Sequence, residues 1–345
     1  MSIRDQLEAF WSGDRPDRIP YTIYYWEWRH TADDPRWQKL FDMGLAVTWN
    51  IPTAQYRHDG VEYRTEQRQE QGKTLERRII ETPVGSICET FSDGWRRKFL
   101  LETAQDYAVM THLVRHTEVV PDYDTFLATE RDIAPHGVAL VDMWRTPMQT
   151  ILVDYVGLEN LAYHLVDLEA EVLELYDSLL DRFRRVAEIV AEGPGRCVSV
   201  LENFTAETLG PRRYQQFLLP VYETFFPMLQ DAGKIVSVHY DGKLASCQEA
   251  VARAPVNVIE SLTPPPEGDL TLAEARAAWP HLLFWSNINV SCYHLPPDEL
   301  KAVVRERVAQ AAQDGRRLAF EVSEHSPTNW ADSMPVVLDA LREIA

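Results

Sequence analysis

Cysteine is scarce in this chain: Cys88, Cys197, Cys247 and Cys292 are the only four in 345 residues, and no two form a Cys-x-x-Cys pair. That spacing excludes a disulfide framework and a thiolate zinc knuckle, and leaves the four as small, mostly buried hydrophobes. Basic residues are also in deficit. Thirty-four Lys and Arg against fifty-three Asp and Glu give a formal net charge of −19, which repels phosphate backbones and anionic bilayers and argues against a nucleic-acid partner. No apolar run approaches the roughly 18–20 residues of a membrane span, and Met1-Ser2-Ile3-Arg4-Asp5 lacks a basic region followed by an apolar stretch. A cytoplasmic protein that crosses no membrane is expected. Phosphate-binding loops are missing too, since Gly193-Pro194-Gly195 reads as a turn before a strand and no Walker-type sequence occurs. Without a Ser/Gly-rich linker, repeat or low-complexity tract, residues 1–345 read as a single domain.

What the chain does contain is a recurring strand-then-helix order. Eight short apolar or β-branched runs stand out: Pro20–Tyr25, Leu45–Asn50, Val138–Trp144, Cys197–Asn203, Ile235–Tyr240, Val256–Leu262, Leu282–Asn287 and Leu318–Ser323. Near-continuous apolar strands belong to parallel sheets covered on both faces, and eight is the number that closes an α/β barrel. Helical periodicity fills Leu168–Ala191, Pro211–Asp231 and Pro297–Asp314. Between about 55 and 98 the chain is polar and alternating, with turn residues Gly72, Pro83-Val84-Gly85 and Asp93-Gly94, so an inserted β-hairpin region is expected there. The fold class is therefore α/β, a single (β/α)8 TIM barrel with this insertion.

In such a barrel reactive groups project from the carboxyl ends of the strands. Those ends carry Trp26 and Trp28, Trp49, Trp144, Glu202 with Asn203, His239 with Asp241, Glu260, Asn287 with Asn289, and Glu324 with His325. The sharpest unit is Val238-His239-Tyr240-Asp241-Gly242, because strand alternation places His239 and Asp241 on one side and Gly242 permits a tight exit. With Glu260 and His325 the pair makes a set of N/O ligands suited to zinc or a similar divalent ion. A hydrogen-bonded pair that holds a loop is the competing reading of the same residues. His112 and His116 lack the glutamate of H-E-x-x-H and read as a surface pair, and nothing near Cys292 would activate a thiol.

These residues resemble the uroporphyrinogen decarboxylase superfamily over almost the whole chain. The similarity rests on Gly13-Asp-Arg-Pro-Asp-Arg-Ile-Pro20, like the family's D-R-x-P start, on Thr82-Pro-Val-Gly85, on Leu201-Glu-Asn203 followed by Pro211–Pro220, and on Val238–Gly242, like H-x-C-G. Ser286-Asn-Ile-Asn289 and the closing 323–330 stretch complete it. The family contains tetrapyrrole decarboxylases and corrinoid-linked methyltransferases. Where a true uroporphyrinogen decarboxylase has an R-Q-A-G-R loop, this chain reads Tyr24-Tyr-Trp-Glu-Trp-Arg-His30, and one arginine cannot neutralise a polycarboxylate.

The resemblance therefore points to the methyltransferase branch, similar to cobalamin-independent methionine synthase, in which a histidine, two cysteines and a glutamate hold zinc. It implies zinc on His239, Asp241, Glu260 and His325, with Asp241 and His325 standing where the family has cysteines. A harder ion of this kind suits the oxygen of a methyl ether better than a thiol. The implied reaction is demethylation of a small methoxylated or methylated compound, with the methyl group passed to a corrinoid protein. Glu202, Asn203 and His239 are the expected catalytic residues, and Trp26, Trp28, Trp49, Trp144, Tyr240 and Asn287 the expected substrate contacts. A metal-free decarboxylase using Arg29, Glu202 and His239 is the alternative, and a non-catalytic barrel that docks a ligand or corrinoid protein the second. A homodimer fits the family's habit.

Overall fold

The computed structural model describes residues 1–322 and 325–344. All eight expected strands are present: β1 (Tyr21–Tyr24), β2 (Leu45–Pro52), β3 (Gly137–Asp142), β4 (Cys197–Val200), β5 (Ile235–His239), β6 (Val258–Leu262), β7 (Leu283–Ile288) and β8 (Leu318–Val322). They close in sequential order into a barrel in which every neighbour is parallel. The chain is an α/β TIM barrel. Ser323, at the end of the expected last strand, and Glu324 lie outside the described residues.

The chain divides into two compact units. One comprises 1–53, 122–144 and 191–345 and contains the barrel strands; the other comprises 54–121 and 145–190. In the barrel unit, strand parity sorts the lumen into two layers. Ala46, Val138, Leu140, Cys197, Val258, Leu283, Trp285 and Ala319 form an apolar layer at the amino end, and Phe10, Leu7 and Trp11 of the helix Ile3–Trp11 pack against it as a floor. Trp285 meets Phe10 edge-on at 5.8 Å and donates its indole N–H to Thr22 Oγ1 at 3.0 Å. Two residues further along each strand the inward positions turn polar, giving Ser199, Ser237, Glu260, Asn287 and Glu321. The floor helix is held in register by a capping box, with Ser2 accepting from Asp5 N–H and Asp5 accepting from Ser2 N–H.

Helical periodicity locates the long helices well: Glu169–Glu192 and Pro297–Ala311 match the expected segments to within a few residues. Pro211–Asp231 is less regular. It runs as Gly210–Arg213, a widened π turn Tyr214–Leu218, and Leu219–Asp231, because Pro220 cannot donate to the carbonyl four residues back. Gly193-Pro194-Gly195 is a turn, as expected, and its three carbonyls accept from the Lys234 ammonium at 2.6, 3.3 and 2.8 Å.

The second unit carries the insertion. Ala54–His58 pairs antiparallel with Thr117–Pro121, and a four-stranded antiparallel meander runs through Glu62–Glu70, Lys73–Thr82, Gly85–Ser92 and Trp95–Lys98. Gln71 (φ 52°) with Gly72 (φ 78°), and Asp93 (φ 51°) with Gly94 (φ 80°), supply the paired positive φ values of tight hairpin turns. His112 and His116 lie on and just after the helix Ala104–Arg115 with rings stacked at 4.0 Å, His116 exposed. Among the described residues no helix is long and apolar enough to cross a membrane.

Because Phe10 is fully buried in the floor, Phe10→Ala is expected to lower the unfolding free energy by about 3–5 kcal/mol. Urea denaturation followed by tryptophan fluorescence measures this. A loss below about 1 kcal/mol would show that the helix does not seal the barrel.

Candidate active site

The polar layer of the lumen gathers around His239. This residue ends β5 and is register partner to Glu260 on β6, so their side chains leave the sheet together. His239 Nδ1 lies 3.0 Å from Glu260 Oε2, and the other carboxylate oxygen, Oε1, accepts from the Tyr24 hydroxyl at 2.9 Å. Tyr24 ends β1, which is adjacent to neither β5 nor β6, so this contact spans the lumen. On the other side of the imidazole, Nε2 is buried without a hydrogen bond and stands 3.7 Å from Asp241 Oδ2. Asp241 is steadied by Asn203 Nδ2 at 3.4 Å. Glu321 on β8 completes the group, being 1% exposed with neither carboxyl oxygen accepting a hydrogen bond.

Burial by itself would depress the His239 pKa, but the charge of Glu260, the nearby Asp241 carboxylate and the hydrogen bond with Glu260 outweigh that and hold it well above 6.5. These contacts favour the protonated ring, with Nδ1 facing Glu260. Asp241 is also desolvated, which raises a carboxyl, yet its contacts with His239 keep it below the usual carboxylate range. Glu321 has no cation of its own. Burial first, then the charge of Glu260, push its pKa well above the ordinary 4.5, which favours its protonated form.

A second buried network starts at Glu202, which is fully buried just beyond β4. Its Oε1 accepts from the Tyr222 hydroxyl at 2.7 Å, Tyr222 accepts from Tyr240 at 3.1 Å, and Tyr240 shares a 3.0 Å hydrogen bond with Tyr214. Burial raises all three phenols far above 10, so each keeps its proton and the chain can relay one only by reorienting hydroxyls. Backbone strain collects at this end of the barrel. Trp144, Asn203 and Ser261 have φ of 58°, 48° and 61°, a region costly for residues other than glycine. Ser261 marks a bulge in β6, and Asn287 buttresses it by donating to Ser261 Oγ at 2.7 Å and Thr263 Oγ1 at 3.0 Å.

The expected aromatic contacts are arranged as stacked walls. Trp49 lies flat on Tyr25 at 3.5 Å, Trp26 stacks on Tyr24 at 5.6 Å, and Trp28 meets Tyr25 and Phe41 edge-on. Trp26 and Trp144 are exposed. His325 sits apart from the His239 group in its bonding: its side chain is 80% exposed, its Nδ1 is 3.3 Å from Glu27 Oε1, and its ring meets Trp26 edge-on. Glu27 is further committed to the Ser326 N–H at 2.7 Å. Arg29 is exposed just after the short helix Tyr25–Trp28, and Cys292 receives an Arg307 N–H at 3.8 Å.

Among the described residues no three His, Cys, Asp or Glu side chains converge on a shared metal position. His239 and Asp241 nevertheless fit one ion. Their 3.7 Å separation suits two donors each about 2.0–2.2 Å from a common divalent cation, and Glu260 stands behind the ring as the carboxylate that orients a ligating imidazole. Two residues of this group, Glu321 and Tyr24, are missing from the expected set: Glu321 lies inside its strand, and Tyr24 ends β1 one residue before the end of the expected run Pro20–Tyr25. Glu321 is signalled only by a lone acid in Leu318-Ala-Phe-Glu-Val322, in phase with the inward-facing Ala319.

No protein-family model matches the chain, and no curated protein matches it. Among solved structures, a methyltransferase from Methanosarcina mazei shares the fold over 99% of both chains, with a TM-score of 0.60 at 11% identity. More remote are a B12-independent methionine synthase from Shewanella sp. W3-18-1, in complex with selenomethionine (TM-score 0.40, 11% identity, 92% of this chain and 87% of that one), and a D-psicose 3-epimerase (TM-score 0.35, 11% identity, 68% and 84%). At these identities the likeness is one of fold.

Two substitutions test the electrostatic assignment. In protein freed of divalent ions, Glu321→Gln is expected to melt no lower than the parent at neutral pH. Its relative stability should rise with pH above the acid's ordinary value of 4.5, since a raised folded-state pKa supplies stability that is lost on the alkaline side and glutamine cannot ionise. Thermal melts across pH measure the difference, and a variant that falls steadily behind the parent would contradict a neutral Glu321. Tyr222→Phe removes a hydroxyl from buried Glu202 and is expected to cost about 1–3 kcal/mol by chemical denaturation.

Proposed function

We propose that this chain is a metal-dependent methyltransferase of the uroporphyrinogen decarboxylase-like type, taking a methyl group from a small methoxylated or methylated compound and passing it to a corrinoid carried by a separate protein. The observation that carries this reading is His239, oriented by Glu260 at Nδ1 while its buried Nε2 faces Asp241 at 3.7 Å. The end-to-end fold match to a methyltransferase supports it at the level of architecture.

Zinc held by His239 and Asp241 would supply Lewis acidity toward the oxygen from which the methyl group departs. The chain's own residues do the rest. Tyr24 and Glu260 fix the imidazole, Asn203 fixes Asp241, and the flat Tyr25–Trp49 stack offers an apolar wall to an aromatic or methylated ring. Glu202, hydrogen-bonded to Tyr222 and through it to Tyr240, is the residue we assign to proton transfer with the departing oxygen. A decarboxylase acting on a carboxylated substrate fits less well, because the lumen already holds Glu260 and Glu321 with Glu202 and Asp241 at its rim, and Arg29 is exposed rather than buried among them.

Elemental analysis of purified protein is expected to find about one zinc per chain. His239→Ala and Asp241→Ala should abolish it, while Glu260→Gln should weaken affinity by roughly 10–100-fold. His325→Ala, by contrast, should retain the metal, given its exposed pairing with Glu27. Zinc-loaded protein incubated with Co(I) cobalamin and methoxyarenes should form methylcobalamin, read by its absorbance. Folded protein that takes up no metal would overturn the reading, and metal-loaded protein inert toward the whole panel would favour a non-catalytic barrel.

A further inference from the structure

The outermost strand of the inserted sheet, Glu62–Glu70, is paired only with Lys73–Thr82 and is exposed at all nine positions. Its two-residue turn, Gln71-Gly72, makes Glu70 and Lys73 a hydrogen-bonded pair. By alternation Glu70, Arg68, Glu66, Arg64 and Glu62 direct their backbone groups at the neighbouring strand. Tyr63, Thr65, Gln67 and Gln69 then direct theirs at the open edge.

An edge of this kind invites another strand unless its side chains forbid it. Here one face reads Glu62, Arg64, Glu66, Arg68, Glu70, alternating in sign. A uniformly charged edge repels a copy of itself, but an alternating one repels itself only in certain registers. An antiparallel copy centred on Glu66 would oppose Glu66 to Glu66 and Arg64 to Arg68. A copy centred on Thr65 opposes Glu62 to Arg68 and Arg64 to Glu66, each twice by symmetry, with Tyr63 against Gln67 and Thr65 against itself. In that register the two Thr65 residues face each other with outward backbone groups, so they can exchange both hydrogen bonds at the dyad.

We propose that the edge strand Glu62–Glu70 pairs antiparallel with the same strand of a second copy of this chain, about a dyad at Thr65, joining two four-stranded sheets into one of eight. The interface is isologous, and its side-chain specificity is ionic on one face.

Sedimentation velocity of the full chain over a range of micromolar concentrations tests this. A monomer–dimer equilibrium that weakens with added salt is expected. Thr65→Pro removes only an outward N–H, which an edge strand tolerates, and should leave a folded monomer. Glu62→Lys sets like charges opposite each other twice, against Arg68 of the other copy, and should weaken association by about tenfold or more. Adding Arg68→Glu to Glu62→Lys should restore it, because these two positions lie six residues apart in one strand and meet only across the Thr65 register. Circular dichroism confirms that each variant is folded. A monomer at every concentration overturns the proposal, as does a dimer indifferent to Thr65→Pro or a double variant no tighter than Glu62→Lys alone.

Discussion

The ion pair between His239 and Glu260 is the constraint on which the upper half of the barrel depends. Both side chains are almost wholly desolvated, and a charge of either sign left alone there would be far more costly than any single contact could offset. Pairing solves this only if the geometry is tight, so the two strands must be in register, Tyr24 must reach across the lumen to the second oxygen of Glu260, and Asn203 must hold Asp241 on the far side of the ring. The strained backbone at Asn203 and Ser261 is the visible counterpart of that demand. Glu321 shows the limit of the arrangement. With one cation already shared by two carboxylates, a further buried acid has no counter-charge of its own and is driven toward its protonated form.

This economy of charge also separates two tasks. The His239 group has an open nitrogen and a partly solvated aspartate, features that suit binding something from outside. Glu202 and its phenols are closed on themselves and fully buried, a chain of hydroxyls with one terminal acceptor. Under the proposed function, a group that takes hold of a ligand and a group that moves a proton would need such different surroundings, found here on β5–β6 and just beyond β4.

Much of this was legible in the sequence, for reasons that can be stated. The eight strands stand out because parallel strands buried on both faces are written as short apolar runs, and the order His239, Asp241, Glu260 follows from finding where those runs stop. Charges inside the runs were harder to see. Glu321 belongs to the site because of strand parity and barrel closure, neither of which is visible until the lumen is known, and Tyr24 meets Glu260 across more than two hundred residues of sequence. The expected grouping of His325 with Glu260 rests on both standing at the ends of expected strands, whereas the His325 side chain is paired with Glu27 and open to water. The four-stranded meander was foreshadowed by Gly72 and Asp93-Gly94, whose positive φ values are what such turns require.

The helix Ile3–Trp11 under the apolar layer has a consequence for traffic. With Phe10 and Trp285 filling the amino end, a ligand that reaches His239 has to come from the carboxyl ends of the strands. If the site transfers a methyl group as proposed, donor and acceptor reach His239 from that same end, so they either take turns or fit the mouth together.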